Sequence, residues 1–181
     1  MTAASLSWST PLAKKNGLPL GEVVLFGILG ALTFALKFAM AALPNIEPVS
    51  LLMMVFGAVF GLKALYPCYV YVAMEILTFG IGTWNINYLY IWALIVLAAW
   101  LMRKTEQPLA WALLSGVFGL FFGAFCAPVD VVIGGWSYAV SKWISGIPFD
   151  ALHCGGNFVM ALILYQPLHK LLDKLYGNMK R

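Results

Sequence analysis

The sequence predicts an all-α integral membrane protein with six transmembrane helices and both termini cytoplasmic. Three observations predict it. Of 181 residues, 62% are hydrophobic and 10% charged, with a mean hydropathy of +0.89. A soluble domain typically carries about 25% charged residues and could not bury so much apolar surface. The chain also breaks into apolar runs that reach or approach the ~20 residues a helix needs to cross a bilayer. Finally, its basic residues fall almost entirely into alternate connections.

Residues 1–181 read as a single membrane domain. The first 20 residues are mixed polar, with Pro11, Pro19, Lys14 and Lys15, and do not pattern as a cleavable signal. The first span runs from Gly21 to Leu43 and stops at the breaker cluster Pro44-Asn45-Ile46-Glu47-Pro48. A short second span, Val49–Leu62, closes at Lys63, and a third runs from Ala64 to Phe79 before Gly80-Ile81-Gly82-Thr83. The fourth is Ile86–Met102, ended by Arg103-Lys104-Thr105-Glu106-Gln107-Pro108, and the fifth is Leu109–Ala127. A less regular stretch, Pro128–Pro148, precedes the sixth span, Phe149–Leu172, and a basic tail. Cys68, Cys126 and Cys154 lie in apolar surroundings without CxxC spacing, so neither a disulfide framework nor a zinc site is expected.

Six spans put the termini, the second connection and the fourth on one side. That side collects Lys14, Lys15, Lys63, Arg103, Lys104, Lys170, Lys174, Lys180 and Arg181, nine of the 11 basic residues. Lys142 alone falls opposite, and Lys37 lies within the first span. Positive residues mark the cytoplasmic face. The pI near 9.0 follows from that topology. The basic residues form no continuous patch interleaved with aromatics, so nucleic acid is not an expected partner.

Within the first span a small residue recurs every fourth position: Gly27, Ala31, Ala35 and Ala39. Such a stripe lets another helix lie directly against the backbone, because apolar contact alone gains little in lipid. Two charges sit deeper. Lys37 and Glu75 lie at matched distances from the outer ends of the first and third spans, which suggests a buried ion pair. Glu22, near the inner interface, is expected to reach headgroup water.

The outward connections hold the polar residues. Asn45 and Glu47 stand between two prolines; Trp84, Asn85, Asn87 and Tyr88 follow in the second connection; Asp130, Trp136, Lys142, Asp150 and His153 occupy the third, with Asn157 just beyond. Trp and Tyr there also suit an aromatic belt at the headgroup level, whereas a belt does not need amides. Amides, rings and few charges at one end of a helical bundle suit a medium-sized, partly planar polar ligand. Candidate binding residues are therefore Asn45, Glu47, Trp84, Asn85, Asn87, Tyr88, Asp130, Trp136, His153 and Asn157. One His beside Cys154 does not make a metal site, and no cofactor is expected.

No HExxH, GxSxG, P-loop or paired-carboxylate spacing is present, so a non-catalytic chain is expected, without nucleotide-driven pumping of its own. An autonomous secondary carrier or channel stays open, although six short spans without a repeat offer little for alternating access.

The Ala-x-x-x-Ala stripe, the segment Pro44-Asn45-Ile46-Glu47-Pro48-Val49-Ser50-Leu51-Leu52 and the segment Trp84-Asn85-Ile86-Asn87-Tyr88-Leu89-Tyr90 resemble those of an S component. S components are the substrate-binding membrane subunits of energy-coupling factor (ECF) vitamin transporters. The resemblance implies a bacterial cell-membrane protein whose first three spans dock on a transmembrane coupling subunit through Gly27, Ala31, Ala35 and Ala39. It implies vitamin binding by the outer halves of spans four to six and the outer connections. Two cytoplasmic ATPase subunits would power toppling of the bilayer-embedded subunit. The proline-bracketed first connection is most similar to the cobalamin-type group; pantothenate, folate and riboflavin are the alternative substrates.

Overall fold

In the computed structural model the described residues are 17–43 and 45–181. Lys14, Lys15 and Pro44, which enter the charge asymmetry and the first connection, lie outside them. The described residues are almost wholly helical, without strands. The helices are α1 Leu20–Ala39, α2 Val49–Phe60, α3 Leu65–Phe79, α4 Thr83–Met102, α5 Pro108–Leu120 and α6 Phe122–Met179, with a 3₁₀ turn Gly61–Ala64 between α2 and α3. Four stretches are long and apolar enough to cross a membrane: Leu20–Ala39, Val49–Phe79, Thr83–Leu101 and Pro108–Met179.

Local sequence explains the ends. Pro108 opens α5 at its first turn, where the missing N–H has no helical partner to lose. Gly61 ends α2 with φ 62°, a left-handed conformation that a side chain disfavours. Inside α6, Gly135 alone leaves helical geometry, at φ 79° and ψ 178°. The close approach of Gly119 to His153, Gly123 to Asp150 and Asp130 to Lys142 shows that the chain reverses there. Residues 122–134 and 136–179 thus form the arms of an antiparallel helical hairpin.

Several boundaries differ from the sequence reading. α4 begins at Thr83, not Ile86, so Trp84 and Asn85 sit in its first turn. The side-chain oxygen of Asn85 accepts the Gly82 N–H and satisfies a donor at that helix start. The Pro128–Pro148 stretch is helical on both sides of Gly135, and the last helix extends through the basic tail to Met179. Pro128, Pro148 and Pro167 are carried inside helix; such residues are tolerated in membrane helices where neighbours satisfy the freed carbonyls. The fifth span breaks at Phe121, where α5 yields to α6.

Packing sets the direction of each helix. Phe26 stacks on Tyr66, Gly30 meets Val70, and Lys37 reaches Glu75, so α1 and α3 run side by side in parallel. A Cβ on Gly30 would lie 2.6 Å from the Val70 Cβ and 2.7 Å from the Pro67 carbonyl oxygen. α2 lies on α4, where Gly57 faces the Val96 carbonyl oxygen. Buried Met53, Met54, Phe56, Ile91, Trp92 and Val96 fill this seam. α5 packs on the returning arm of α6, with Trp111 stacked on Tyr165 at 4.2 Å.

These directions give the bundle two chemically different ends. One carries Lys63, Arg103, Lys104, Lys170 and Lys174; the other carries the α1–α2 connection, the start of α4 and the hairpin tip. Glu22 at the basic end does not reach out to headgroup water. It is buried, accepting from Lys63 at 2.6 Å and from the Tyr176 hydroxyl at 2.6 Å. An uncompensated carboxylate would be costly there, and these two donors tie both chain ends of the bundle together.

Candidate functional site

Two cavities open at the end opposite the basic cluster. The first, about 380 Å³, lies between the ends of α1 and α3 and the α1–α2 connection, and includes Lys37, Asn45, Glu47 and Glu75. The second, also about 380 Å³, lies between the start of α4 and the hairpin, and includes Trp84, Asn87, Gly123, Asp130, Lys142, Trp143 and Phe149.

The charged center of the first cavity is the Lys37–Glu75 pair, at 2.9 Å from Nζ to Oε2. Lys37 also donates to the Tyr88 hydroxyl at 3.3 Å and lies over the Tyr88 ring, 5.1 Å from its centroid. Carboxylate, hydroxyl and ring face together compensate an ammonium that α1 carries into apolar surroundings. Asn45, at φ 53°, donates from its amide to the Phe149 carbonyl at 3.1 Å. Asn tolerates this left-handed conformation better than most residues. The α1–α2 connection is thereby tied to the hairpin between the two cavities.

In the second cavity, the Lys142 ammonium meets Asp130 at 2.6 Å across the hairpin. Asp130 is buried and Lys142 half-open, so the pair presents a cation toward solvent over an anchored carboxylate. The Tyr90 hydroxyl donates its single proton to the Phe125 carbonyl and lies 3.0 Å from the Asn87 side-chain amide. Deeper, Asp150 accepts the Gly123 N–H at 3.2 Å, which locks the bend after α5 to the returning arm. Aromatic rings and one ion pair thus surround an amide in this cavity.

The ten candidate binding residues are not gathered at one mouth. Asn45 and Glu47 line the first cavity, and Trp84, Asn87 and Asp130 line the second. Tyr88 lies between them, against Lys37 on one side and edge-on to Trp84 at 5.3 Å on the other. Asn85 is buried and bonded to Gly82. Trp136 stands on the hairpin tip, 76% exposed, beside a separate apolar groove that includes Ala139 and Trp143. His153 is buried with its ring against Phe122 at 5.0 Å. Asn157 lies in the core, donating to the Ser50 hydroxyl at 3.0 Å and the Ser115 carbonyl at 3.3 Å. Asn85, His153 and Asn157 thus line neither cavity. Asn85 and Asn157 make hydrogen bonds inside the bundle, whereas Asn85 Nδ2, Asn157 Oδ1 and His153 Nε2 are buried without a hydrogen-bond partner among the described residues.

Lys142 and Trp143, which the sequence places in the third outward connection though not among the ten candidates, line the second cavity together with Phe149. Their signal was the Gly134-Gly135 pair, which turns the stretch into a hairpin and brings residue 142 back over residue 130.

Among the described residues, the small-residue stripe of α1 is only partly covered. α1 meets α3 through Phe26, Gly30 and Thr33, all buried, whereas Gly27 and Ala31 are half-buried and Ala35 and Ala39 exposed. A Cβ on Gly27 would touch nothing within 4 Å. Compared with protein-family models, curated proteins and solved structures, the chain matches none of them.

Proposed function

We propose that this chain is the substrate-binding S component of an ECF-type importer in a bacterial cell membrane, with six spans and both termini cytoplasmic. The observation that carries the reading is the Gly27-Ala31-Ala35-Ala39 face. α1 spends a different stripe, Phe26-Gly30-Thr33, on packing within the chain and keeps its smoothest face outward. A smooth face in lipid gains most from a second helix placed against it. That helix is assigned to a transmembrane coupling subunit, which two cytoplasmic ATPases drive. The cavity bounded by Trp84, Asn87, Asp130 and Lys142 is assigned to the vitamin.

Cobalamin is the substrate that the resemblance of the first connection favours. A second reading, a smaller B vitamin such as riboflavin, pantothenate or folate, is favoured by size. Pockets for drug-sized ligands run from about 300 to 1,000 Å³, and about 380 Å³ lies near the lower limit. Calorimetric titration of the purified chain with a panel of B vitamins separates the two. Uptake into proteoliposomes should require the coupling subunit and ATPases; uptake by the chain alone would instead identify an autonomous carrier or channel, and no binding or uptake at all would identify an assembly subunit.

A further inference from the structure

The first cavity is outside the α4–hairpin site assigned to the vitamin, and its polar groups do not balance. Lys37 is already committed, to Glu75 Oε2 and to Tyr88. The other oxygen of Glu75, on a residue only 2% exposed, has no hydrogen-bond partner. Among the described residues no group donates to the half-buried Glu47 carboxylate, which borders the same space. Two carboxylates therefore face one cation, and the acceptors outnumber the donors. An unpaired buried acceptor is costly, more so when charged, so the complementary partner is a positively charged donor.

The rest of the cavity determines what kind of cation. Its walls are Phe38, Met40, Leu43, Ile46 and Phe79, and its volume is about 380 Å³. A bare metal ion would leave these walls unfilled. Among the described residues no group of three or more His, Cys, Asp or Glu side chains is placed to hold one. An ammonium attached to an apolar body satisfies both halves, its charge against the carboxylates and its body against the rings and aliphatic chains.

We propose that this cavity is a binding site for an amphiphilic organic cation, held through a primary ammonium by the carboxylates of Glu47 and Glu75 that border it. Phe38, Leu43 and Phe79 are each about half exposed, so the apolar body can enter from lipid as well as from water. The same ammonium chemistry is offered by a soluble aryl-alkyl amine and by an aminophospholipid headgroup.

Burial pushes the Glu47 carboxyl above its ordinary range, with Lys37 opposing the shift and Glu75 reinforcing it. Tyr71 and Tyr88 face it as well. Protonated Glu47 cannot pair with a cation, so affinity should rise with pH as this group ionises.

The test uses the full chain in nanodiscs of phosphatidylglycerol, a lipid without an amine, titrated calorimetrically with phenethylammonium and with 3-phenylpropionate. Phenethylammonium should bind at least about tenfold more tightly than the carboxylate, and Glu47→Gln should weaken it by about tenfold, the scale of one lost charge-assisted contact. Glu106→Gln, at the far end of the bundle, should leave it unchanged. Competition by added phosphatidylethanolamine assigns the site to a lipid headgroup, and its absence assigns it to a soluble amine. Equal binding of both probes, no binding of either, or an unchanged affinity in Glu47→Gln overturns the proposal. Because Glu47 lies on a surface connection, its variant keeps the test open should Glu75→Gln fail to fold. None of these outcomes depends on the ATPase-driven uptake that tests the importer reading.

Discussion

Lys37 and Glu75, 38 residues apart in sequence, meet at 2.9 Å between two parallel helices. The contact joins α1 to α3 at the level where both helices approach their ends, and Tyr88 of α4 completes it. Three helices are therefore held by one ammonium, in surroundings where either charge alone would be poorly solvated.

Removing one member should cost more than removing both. Lys37→Met or Glu75→Gln is expected to destabilise the fold by about 3 kcal/mol, because each leaves a buried partner uncompensated. The double variant should lose less than the sum of the single losses. Unfolding of all four forms in one detergent measures the coupling, and strict additivity would argue against a direct pair.

Two glycines on α1 should respond in opposite ways. At Gly30 an added Cβ would collide with Val70 and the Pro67 carbonyl, so Gly30→Ala should lower thermal stability by several degrees and loosen α1 from α3. Gly27→Ala enters open space and should leave stability unchanged. Thermal denaturation of the two purified variants provides the comparison; equal losses would show that α1 packs differently.

On the small-residue face, Ala35→Leu should reduce coupled uptake while ligand binding by the isolated chain persists. The comparison is uptake by reconstituted complexes against calorimetry on the single subunit. Equal loss of binding and uptake would place the stripe inside the fold's own packing.

The two polar residues Asn157 and Asn87 should separate structure from binding. Asn157→Ala breaks the hydrogen bonds to Ser50 and Ser115 and should destabilise by roughly 1–3 kcal/mol, with little change in vitamin affinity. Asn87→Ala should weaken vitamin binding with a smaller effect on stability. If Asn157→Ala abolishes binding in a fully folded protein, the site reaches deeper than the second cavity.

At the basic end, Tyr176→Phe removes one of the donors to buried Glu22 and should destabilise by about 1–2 kcal/mol, the scale of a hydrogen bond to a charged group. Limited proteolysis of the C-terminal helix reads the effect directly. An unchanged cleavage rate would show that Lys63 alone holds the carboxylate.

Much of the helical layout was legible because apolar runs and breakers act locally. The polar turn at Lys63 and the Arg103-Lys104 connection before Pro108 fall between helices, as the sequence pattern implies. The matched depth of Lys37 and Glu75 was readable for a similar reason: charge in an apolar run demands a partner nearby. The stretch around Gly135 was not legible, because its prolines and glycines suggest irregular chain. In the structure that stretch is helical on both sides of Gly135 and folds back on itself as a hairpin.

The candidate site divides along the same line. Polar residue type marked the end of the bundle where the two polar cavities open, but not which side chains share a cavity. Asn157, near the other candidates in sequence pattern, turns inward to Ser50, 107 residues away. Glu22 likewise finds its donor at Tyr176, 154 residues away. The sequence by itself determined the membrane-compatible helical class, the small-residue stripe and the need to compensate each deep charge, since these follow from local composition and period. Tertiary structure alone decided that the stripe stays only partly covered, that the polar mouth is two cavities, and that Lys142 returns over Asp130. Those outcomes depend on helix directions and on contacts between distant residues, which no local pattern encodes.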